Sequence, residues 1–179
     1  MKKNKGISID FVLNRLPRAK SNIFVDASSS WGIGGCCGEN FFMVPWEDLR
    51  LAKSDIIARQ ELLACLTAIL CFGDLIMGKL ATLFTDNDNA YHWLSKGRSS
   101  NNLGTRYLAL WEYRKYWLEC KITPSWIPSE ANRTADSLSR GIVPEWLSRR
   151  GRRRALSPHH WELLSLDPIE LWTKILKIK

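Results

Sequence analysis

The sequence predicts an α/β fold built on a mixed β-sheet, and two features of the chain lead to that prediction. Three short β-favouring segments follow one another with turn-type connections, which indicates an antiparallel meander. The later β-type segments alternate with segments of helical length, and such crossovers require parallel pairing. The chain has 179 residues, 45% of them hydrophobic and 25% charged, which suits one core with an appendage rather than two full domains.

The strands of the meander are bounded by turn residues. Residues 21–25 read Ser-Asn-Ile-Phe-Val and end at Asp26, after which Ala-Ser-Ser-Ser-Trp-Gly indicates a turn. Residues 33–37 and 41–46 are the next two predicted strands, and the Gly-Glu-Asn at 38–40 has the length of a hairpin connection.

The most apolar segment, residues 55–72, predicts a long helix. Ser54 is a candidate N-cap, and Gly73 stands where a helix would end. Because the segment is apolar around much of its circumference, we expect it to be covered on several sides.

The remaining core elements alternate as the crossover pattern requires. In chain order we predict a strand at 80–85, a helix at 89–95, a loop at 98–104, a helix at 105–120, a strand at 122–127 and a helix at 134–140. Pro124 cannot donate to a ladder, so the last strand is expected at a sheet edge. We assign Trp93, Trp111 and Trp117 to the core.

Charge divides the chain, whose net charge is +8, into three parts. These are a basic N-terminal segment at 1–20, a balanced domain at 21–141 and a basic, Trp-containing extension at 142–179. In the extension, Ser157-Pro158 and Asp167-Pro168 are typical helix starts, which predicts short amphipathic helices. The five arginines between 149 and 154 suit either a phosphate-docking surface or a solvated linker.

No segment of the sequence is suited to spanning a membrane or directing secretion. The longest apolar run, 62–72, falls short of the roughly 18 residues that cross a bilayer. Asp10 and Arg15 break the start of the chain before it can form a signal-peptide core. The five cysteines are odd in number and form no Cys-x-x-Cys, which indicates buried thiols in a reducing compartment. We expect an intracellular protein without membrane contact.

Four carboxylates stand where an unpaired charge would be costly. They are Asp26 after the first strand, Glu61 in the most apolar helix, Asp86 after the fourth strand and Asp136 in the last core helix. Strands one and four can be parallel neighbours, which brings Asp26 and Asp86 together at their carboxyl ends. Clustered carboxylates need protons or cations, and oxygen ligands select Mg²⁺ or Mn²⁺. Taken singly, the four could also be a turn former, a surface charge, a helix cap and a solvated acid.

The local sequences around these acids are more specific than their spacing. They read Phe-Val-Asp-Ala-Ser at 24–28, Trp-Gly-Ile-Gly-Gly at 31–35, Arg-Gln-Glu-Leu-Leu-Ala at 59–64, Phe-Thr-Asp-Asn at 84–87 and Trp-Ile-Pro-Ser-Glu-Ala-Asn-Arg-Thr-Ala-Asp-Ser-Leu-Ser-Arg at 126–140. In this order they resemble the motifs of retroelement ribonucleases H, especially those of gypsy-like and DIRS-like elements. The resemblance covers residues 21–141 and includes all four acids.

This resemblance implies a ribonuclease H-like fold, with a mixed five-stranded sheet in the order 3-2-1-4-5 and helices on both faces. It implies that Asp26, Glu61, Asp86 and Asp136 bind two Mg²⁺ ions, with Mn²⁺ as a substitute, for hydrolysis of the RNA strand of an RNA/DNA hybrid. The implied partners are that hybrid and a reverse transcriptase domain or another polyprotein part, in a cytoplasmic particle or the nucleus. Many ribonucleases H carry a histidine before the last aspartate, whereas residues 129–135 contain none, so lower turnover is expected.

The predicted substrate contacts surround these acids. They are Ser28, Gly32, Gly34, Asn87, Lys96, Arg98 and Arg133. Glycine allows close approach of a nucleic acid backbone, although a twisted hairpin also favours it. Basic side chains can follow the DNA strand through phosphate contacts. Asp88 competes with Asp86 for the third ligand position, and we prefer Asp86 because it directly follows a strand.

One other class of function stays open, and a second is disfavoured. A retroelement-derived module with weak or no cleavage would bind protein or nucleic acid through the extension, with Trp146, Trp161 and Trp172 in contact. Other nucleases of this fold fit less well. A proofreading exonuclease needs Asp-x-Glu on the first strand, but Asp26 is followed by Ala-Ser, and a DDE transposase needs its glutamate after the second aspartate, whereas Glu61 precedes it.

Overall fold

The computed structural model describes residues 15–49, 56–99 and 102–165, together with Glu170 and Thr173. In these residues the strands are β1 (Ile23–Ala27), β2 (Gly32–Cys37), β3 (Asn40–Pro45), β4 (Leu80–Thr85), β5 (Lys121–Trp126) and β6 (Arg152–Arg153). The α-helices are α1 (Trp46–Leu49), α2 (Ile57–Cys71), α3 (Gly73–Ile76), α4 (Asp88–Lys96), α5 (Asn102–Trp117), α6 (Arg133–Ser139), α7 (Glu145–Arg150) and α8 (Pro158–Ser165), with a 3₁₀ turn at Ser129–Ala131.

The described strands form one mixed sheet in the order β5-β4-β1-β2-β3-β6. β1, β2 and β3 pair antiparallel as a meander, while β4 pairs parallel with β1 and β5 parallel with β4. The predicted α/β class with a mixed sheet is confirmed, and Pro124 lies on the edge strand β5. The predicted order 3-2-1-4-5 needs one correction, because β6 pairs parallel with β3 and adds a sixth strand.

β6 covers the outer edge of β3, although it has only two residues. Three carbonyl groups along that edge accept hydrogen bonds from the extension. The bonds are Arg152 N–H to Glu39 O at 2.8 Å, Arg154 N–H to Phe41 O at 2.7 Å and Arg153 Nη2 to Met43 O at 3.3 Å. At least three arginines of the cluster therefore contact the sheet, so the cluster is not simply a solvated linker.

Successive side chains of a strand point to opposite faces of the sheet, and here both faces carry an apolar layer. Ile23 and Val25 of β1 belong to the larger core, which includes residues of α2 and α5. Phe24, between them, packs on the opposite face with Leu138 of α6 and Leu147 of α7. Helices therefore cover both faces, as predicted.

α6 approaches β2 closely at Gly34. A Cβ atom at this position would lie 2.6 Å from the Cβ of Leu138 and closer still to the Leu138–Ser139 peptide group. Any larger residue would push the helix away from the sheet. The structure thus gives Gly34 a packing role, whereas the sequence suggested room for a nucleic acid backbone.

Several predicted boundaries and positions differ from the structure. α2 begins at Ile57, with Ile56 as its N-cap and no side-chain cap, and Ser54 lies outside the described residues. The predicted loop at 98–104 is too long, because α5 already begins at Asn102. Trp111 is buried as predicted, but the assignment of Trp117 to the core is wrong, since that residue is 52% exposed.

The extension packs onto the same body as the sheet. Leu147, Leu156, Leu163 and Leu164 are all buried, and the last three join the larger core. The predicted helix at Pro158 is present as α8, and the Ser157 hydroxyl accepts a hydrogen bond from the His160 N–H at 3.2 Å. The segment predicted to start a helix at Asp167 lies mostly outside the described residues.

The structure also bears on the predictions about membrane-spanning segments and about the cysteines. No helix among the described residues is long and apolar enough to cross a membrane. All five cysteines are buried free thiols, as predicted. Burial raises the pKa of Cys36 and Cys71 to about 12, so these thiols are not suited to nucleophilic chemistry.

Candidate metal centre

Three of the four predicted carboxylates meet at the carboxyl ends of β1 and β4. These strands pair side by side and run parallel, so Asp26 near the end of β1 and Asp86 directly after β4 are neighbours. Glu61 reaches the same place from α2, which packs on β1. One oxygen atom of each of these three carboxylates lies within 4.8 Å of the other two. This buried acidic cluster could hold a metal ion.

Glu61 is an acid in an otherwise apolar helix and is only 4% exposed. The Ala27 backbone N–H donates a hydrogen bond to its carboxylate. The Oε2 atom of Glu61 is buried and has no hydrogen-bond partner among the described residues. A buried carboxylate oxygen without a partner is destabilising, and a cation would supply the missing interaction. The residues present therefore fit a cation with oxygen ligands.

Burial changes the acidity of this cluster. It raises the pKa of Asp26 from 3.8 to about 7. The Ser139 hydroxyl opposes that rise in the pKa, while the charges of Asp86 and Asp136 add to it. Burial, followed by repulsion from Asp26 and Asp86, also raises the pKa of Glu61 well above its usual range. The raised pKa values favour the protonated forms of these two groups, whereas a bound divalent ion would favour their charged forms.

Asp136, the fourth predicted ligand, lies near this cluster but is engaged elsewhere. Its Oδ1 atom accepts hydrogen bonds from Arg140 Nε at 2.9 Å and Nη2 at 2.7 Å. Its side chain is 41% exposed, yet its charge still contributes to the raised pKa of Asp26. The structure thus brings three predicted ligands together and leaves the fourth beside them, paired with an arginine one helical turn away.

The choice between Asp86 and Asp88 as the third acid is decided by their surroundings. Asp86 belongs to the cluster. The side chain of Asp88 is 74% exposed and lies 3.6 Å from His92, one turn along α4. Asp88 is therefore a surface residue at the start of a helix.

Two residues that support the cluster were missed in the sequence. The Ser139 hydroxyl lies 2.5 Å from Asp26 Oδ2. The Asn132 Nδ2 atom donates to the Val25 carbonyl at 2.8 Å and lies 3.4 Å from Asp86 Oδ1. Both polar side chains are almost fully buried, at 0% and 1% exposure. The available signal was the segment 126–140, where polar residues alternate with Ala135 and Leu138 on a short helix.

The predicted substrate contacts fall into two groups. Gly32, Gly34 and Ser28 are buried. Ser28 closes the turn after β1, where its carbonyl accepts a hydrogen bond from Trp46 Nε1 at 2.8 Å. Asn87 caps α4 through a 3.0 Å hydrogen bond from the Ala90 N–H. The basic residues are instead exposed, and they are Lys96, Arg98 and Arg133. Only this second group has free side chains that can meet a phosphate.

Trp126 is a further residue at the rim that the sequence did not single out. It ends β5 and is 47% exposed. Its Nε1 atom donates to the Asp86 backbone carbonyl at 3.0 Å, which fixes one end of the ring beside the acidic cluster. An exposed indole held in this way can stack on a nucleobase.

We expect the free energy of unfolding of the metal-free protein to fall as the pH rises between about pH 4 and pH 7. Asp26 and Glu61 have raised pKa values in the folded state, so that state binds more protons than the unfolded chain, and deprotonation destabilises it. For Asp26 the effect is roughly 4 kcal/mol at 1.4 kcal/mol per unit. Urea denaturation in EDTA measures this slope, and Asp26→Asn should reduce it. Millimolar Mg²⁺ should offset the loss at neutral pH, whereas a flat profile without a Mg²⁺ effect would contradict the cluster.

The site thus combines three converging carboxylates, an unsatisfied buried oxygen and a fixed aromatic rim. The interpretation of this site as a metal centre rests on this geometry and on the sequence motifs around the acids. The chain matches none of the protein-family models, curated proteins or solved structures with which it was compared.

Proposed function

We propose that this protein is a ribonuclease H of retroelement type, which hydrolyses the RNA strand of RNA/DNA hybrids with two Mg²⁺ ions, Mn²⁺ being a substitute. The observation that carries the proposal is the convergence of Asp26, Glu61 and Asp86, with one oxygen of each within 4.8 Å of the others. These residues are far apart in the chain and lie in the segments that resemble the family's motifs.

The sheet supports the same proposal. Five of its strands follow the order that the resemblance implies, β3-β2-β1-β4-β5. The acids lie at the carboxyl ends of β1 and β4, which is where open α/β sheets place their sites. A ribonuclease H-like fold, extended by β6, accounts for these features.

In the proposed reaction, the acids hold the ions and the rest of the chain positions the hybrid. Bound Mg²⁺ would supply Lewis acidity, lowering the pKa of the attacking water and stabilising charge on the scissile phosphate. Asp26, Glu61 and Asp86 contribute the carboxylate oxygens. Asp136 would join them by exchanging its contact with Arg140 for a cation.

Charge outside the cluster suits a polyanionic substrate. The net charge is +8, and Lys96, Arg98 and Arg133 expose cations. Such side chains bind phosphates with an affinity that falls as salt rises. Trp126 would stack at the rim. A reverse transcriptase domain or another polyprotein part is the proposed protein partner.

Two observations favour a second candidate, a related module that binds its partner with weak or no cleavage. The pairing of Asp136 with Arg140 leaves three carboxylates for the ions. The segment 129–135 also lacks a histidine that could assist proton transfer. A protein that binds hybrid without cutting it would fit this alternative.

The direct test is a cleavage assay on RNA/DNA hybrid, RNA duplex and single strands. We expect the RNA of the hybrid to be cut in Mg²⁺ or Mn²⁺, giving 3′-hydroxyl and 5′-phosphate ends, with no cleavage in EDTA. The ions are required because the carboxylates alone neither activate water nor neutralise the phosphate. Undiminished cleavage in EDTA would disprove the proposal, and hybrid binding without any cleavage would favour the binding module.

A further inference from the structure

Ser139, at the end of α6, links the sheet to the helix that carries Asp136. It is fully buried, at 0% exposure. Its hydroxyl oxygen lies 2.5 Å from Asp26 Oδ2 and 2.8 Å from the Asp136 backbone carbonyl oxygen. A single side chain thus contacts the first acid of the cluster and the backbone of the fourth predicted ligand.

The hydroxyl group has one proton to share between these two acceptors. When Asp26 is ionised, as a metal ligand must be, its carboxylate is the stronger acceptor. The Ser139 proton then lies toward Oδ2. This hydrogen bond restrains rotation of the Asp26 carboxylate, so its remaining lone pairs are offered to a cation in one orientation.

Gly34 makes this contact feasible. The absence of a Cβ at Gly34 lets the peptide group between Leu138 and Ser139 lie directly on β2. Asp26 and Gly34 are register partners on adjacent strands. The close approach of the helix at Gly34 therefore sets the position of the Ser139 hydroxyl relative to Asp26.

We propose that Ser139 is a positioning residue of the metal centre, which fixes the orientation of the Asp26 carboxylate and ties it to the helix that bears Asp136. This inference rests on the proposed function, because it assumes that the cluster binds divalent ions. Partners that orient metal ligands in this way typically change metal affinity or activity about 10–100-fold when removed.

The test compares Ser139→Ala with Ser137→Ala, a matched control on the same helix. The Ser137 hydroxyl donates to the Arg133 carbonyl at 2.9 Å near the surface. We expect Ser139→Ala to weaken Mn²⁺ binding, measured by electron paramagnetic resonance, about 10-fold or more. The Mg²⁺ concentration for half-maximal cleavage should rise in parallel, while the KM for hybrid stays constant. Ser137→Ala should leave Mn²⁺ affinity within twofold of the original.

The outcomes separate this inference from the proposed function. If the unaltered protein binds Mn²⁺ and Ser139→Ala binds it equally well, the positioning role is wrong and the ribonuclease proposal stands. If the unaltered protein binds no Mn²⁺, both are wrong. Melting in EDTA reports the folding of each variant. Should Ser139→Ala not fold, Ser139→Cys, which keeps a side chain of the same connectivity with a larger atom and a weaker donor, is measured for the same two outcomes.

Discussion

Replacement of Asp86 by Asn should greatly slow cleavage of the RNA strand and leave the fold intact. The amide keeps the shape of the carboxylate but loses its charge, and the loss of several kcal/mol of transition-state stabilisation corresponds to a rate decrease of roughly 10³-fold. Asp86 also repels Asp26 and Glu61. We therefore expect the metal-free variant to melt at the same temperature as the original protein or higher.

The matched control for this experiment is Asp88→Asn, two residues along the chain. The Asp88 side chain is 74% exposed and outside the cluster, so its replacement should change the cleavage rate less than about twofold, as surface substitutions usually do. Rates are compared at saturating Mg²⁺ with a labelled hybrid. Equal rates for Asp86→Asn and the original protein would refute the assignment of Asp86 as a ligand.

A chain that ends at Gly141 should fail to fold cooperatively. The removed segment includes four buried leucines, Leu147, Leu156, Leu163 and Leu164. Their burial stabilises the fold by roughly 1.5–3 kcal/mol each, which together is comparable to the whole stability of a typical domain, about 5–15 kcal/mol. Loss of near-ultraviolet circular dichroism and of a sigmoidal urea transition would report this result.

Two point variants distinguish the loss of buried leucine packing from the effect of shortening the chain. Leu163 is 2% exposed and Trp146 is 48% exposed. We expect Leu163→Ala to lower the free energy of unfolding by about 2–5 kcal/mol, and Trp146→Ala to change it by much less. A truncated chain with the original melting temperature would show that the domain boundary at 141 was placed correctly from the sequence and that the extension is dispensable.

The strands and the acidic cluster could be predicted because local sequence determines them strongly. Turn residues bracket β1 to β4, and parallel pairing of β1 with β4 places Asp26 beside Asp86. Trp117 could not be assigned reliably, because a helix with aromatic residues on several faces leaves its buried side ambiguous. β6 was missed because two arginines have no preference for strands.

The details of the site depend on contacts between residues distant in sequence. Ser139 and Asp26 are 113 residues apart, and nothing in the spacing of polar residues on α6 indicates that they meet. The pairing of Asp136 with Arg140 is local, at the i,i+4 spacing typical of helical ion pairs. That spacing is present in the sequence, whereas the resemblance implies that Asp136 is a metal ligand.

The bonds from the extension to β3 also bear on aggregation. An exposed strand edge is a template for intermolecular pairing. Here the carbonyls of Glu39, Phe41 and Met43 already accept hydrogen bonds from the arginine segment, and on the opposite edge strand Pro124 lacks a backbone donor. The β3 border of the sheet is therefore covered and the β5 border lacks one donor, so self-association of this chain by continuing the sheet is disfavoured at the β3 edge and weakened at the β5 edge.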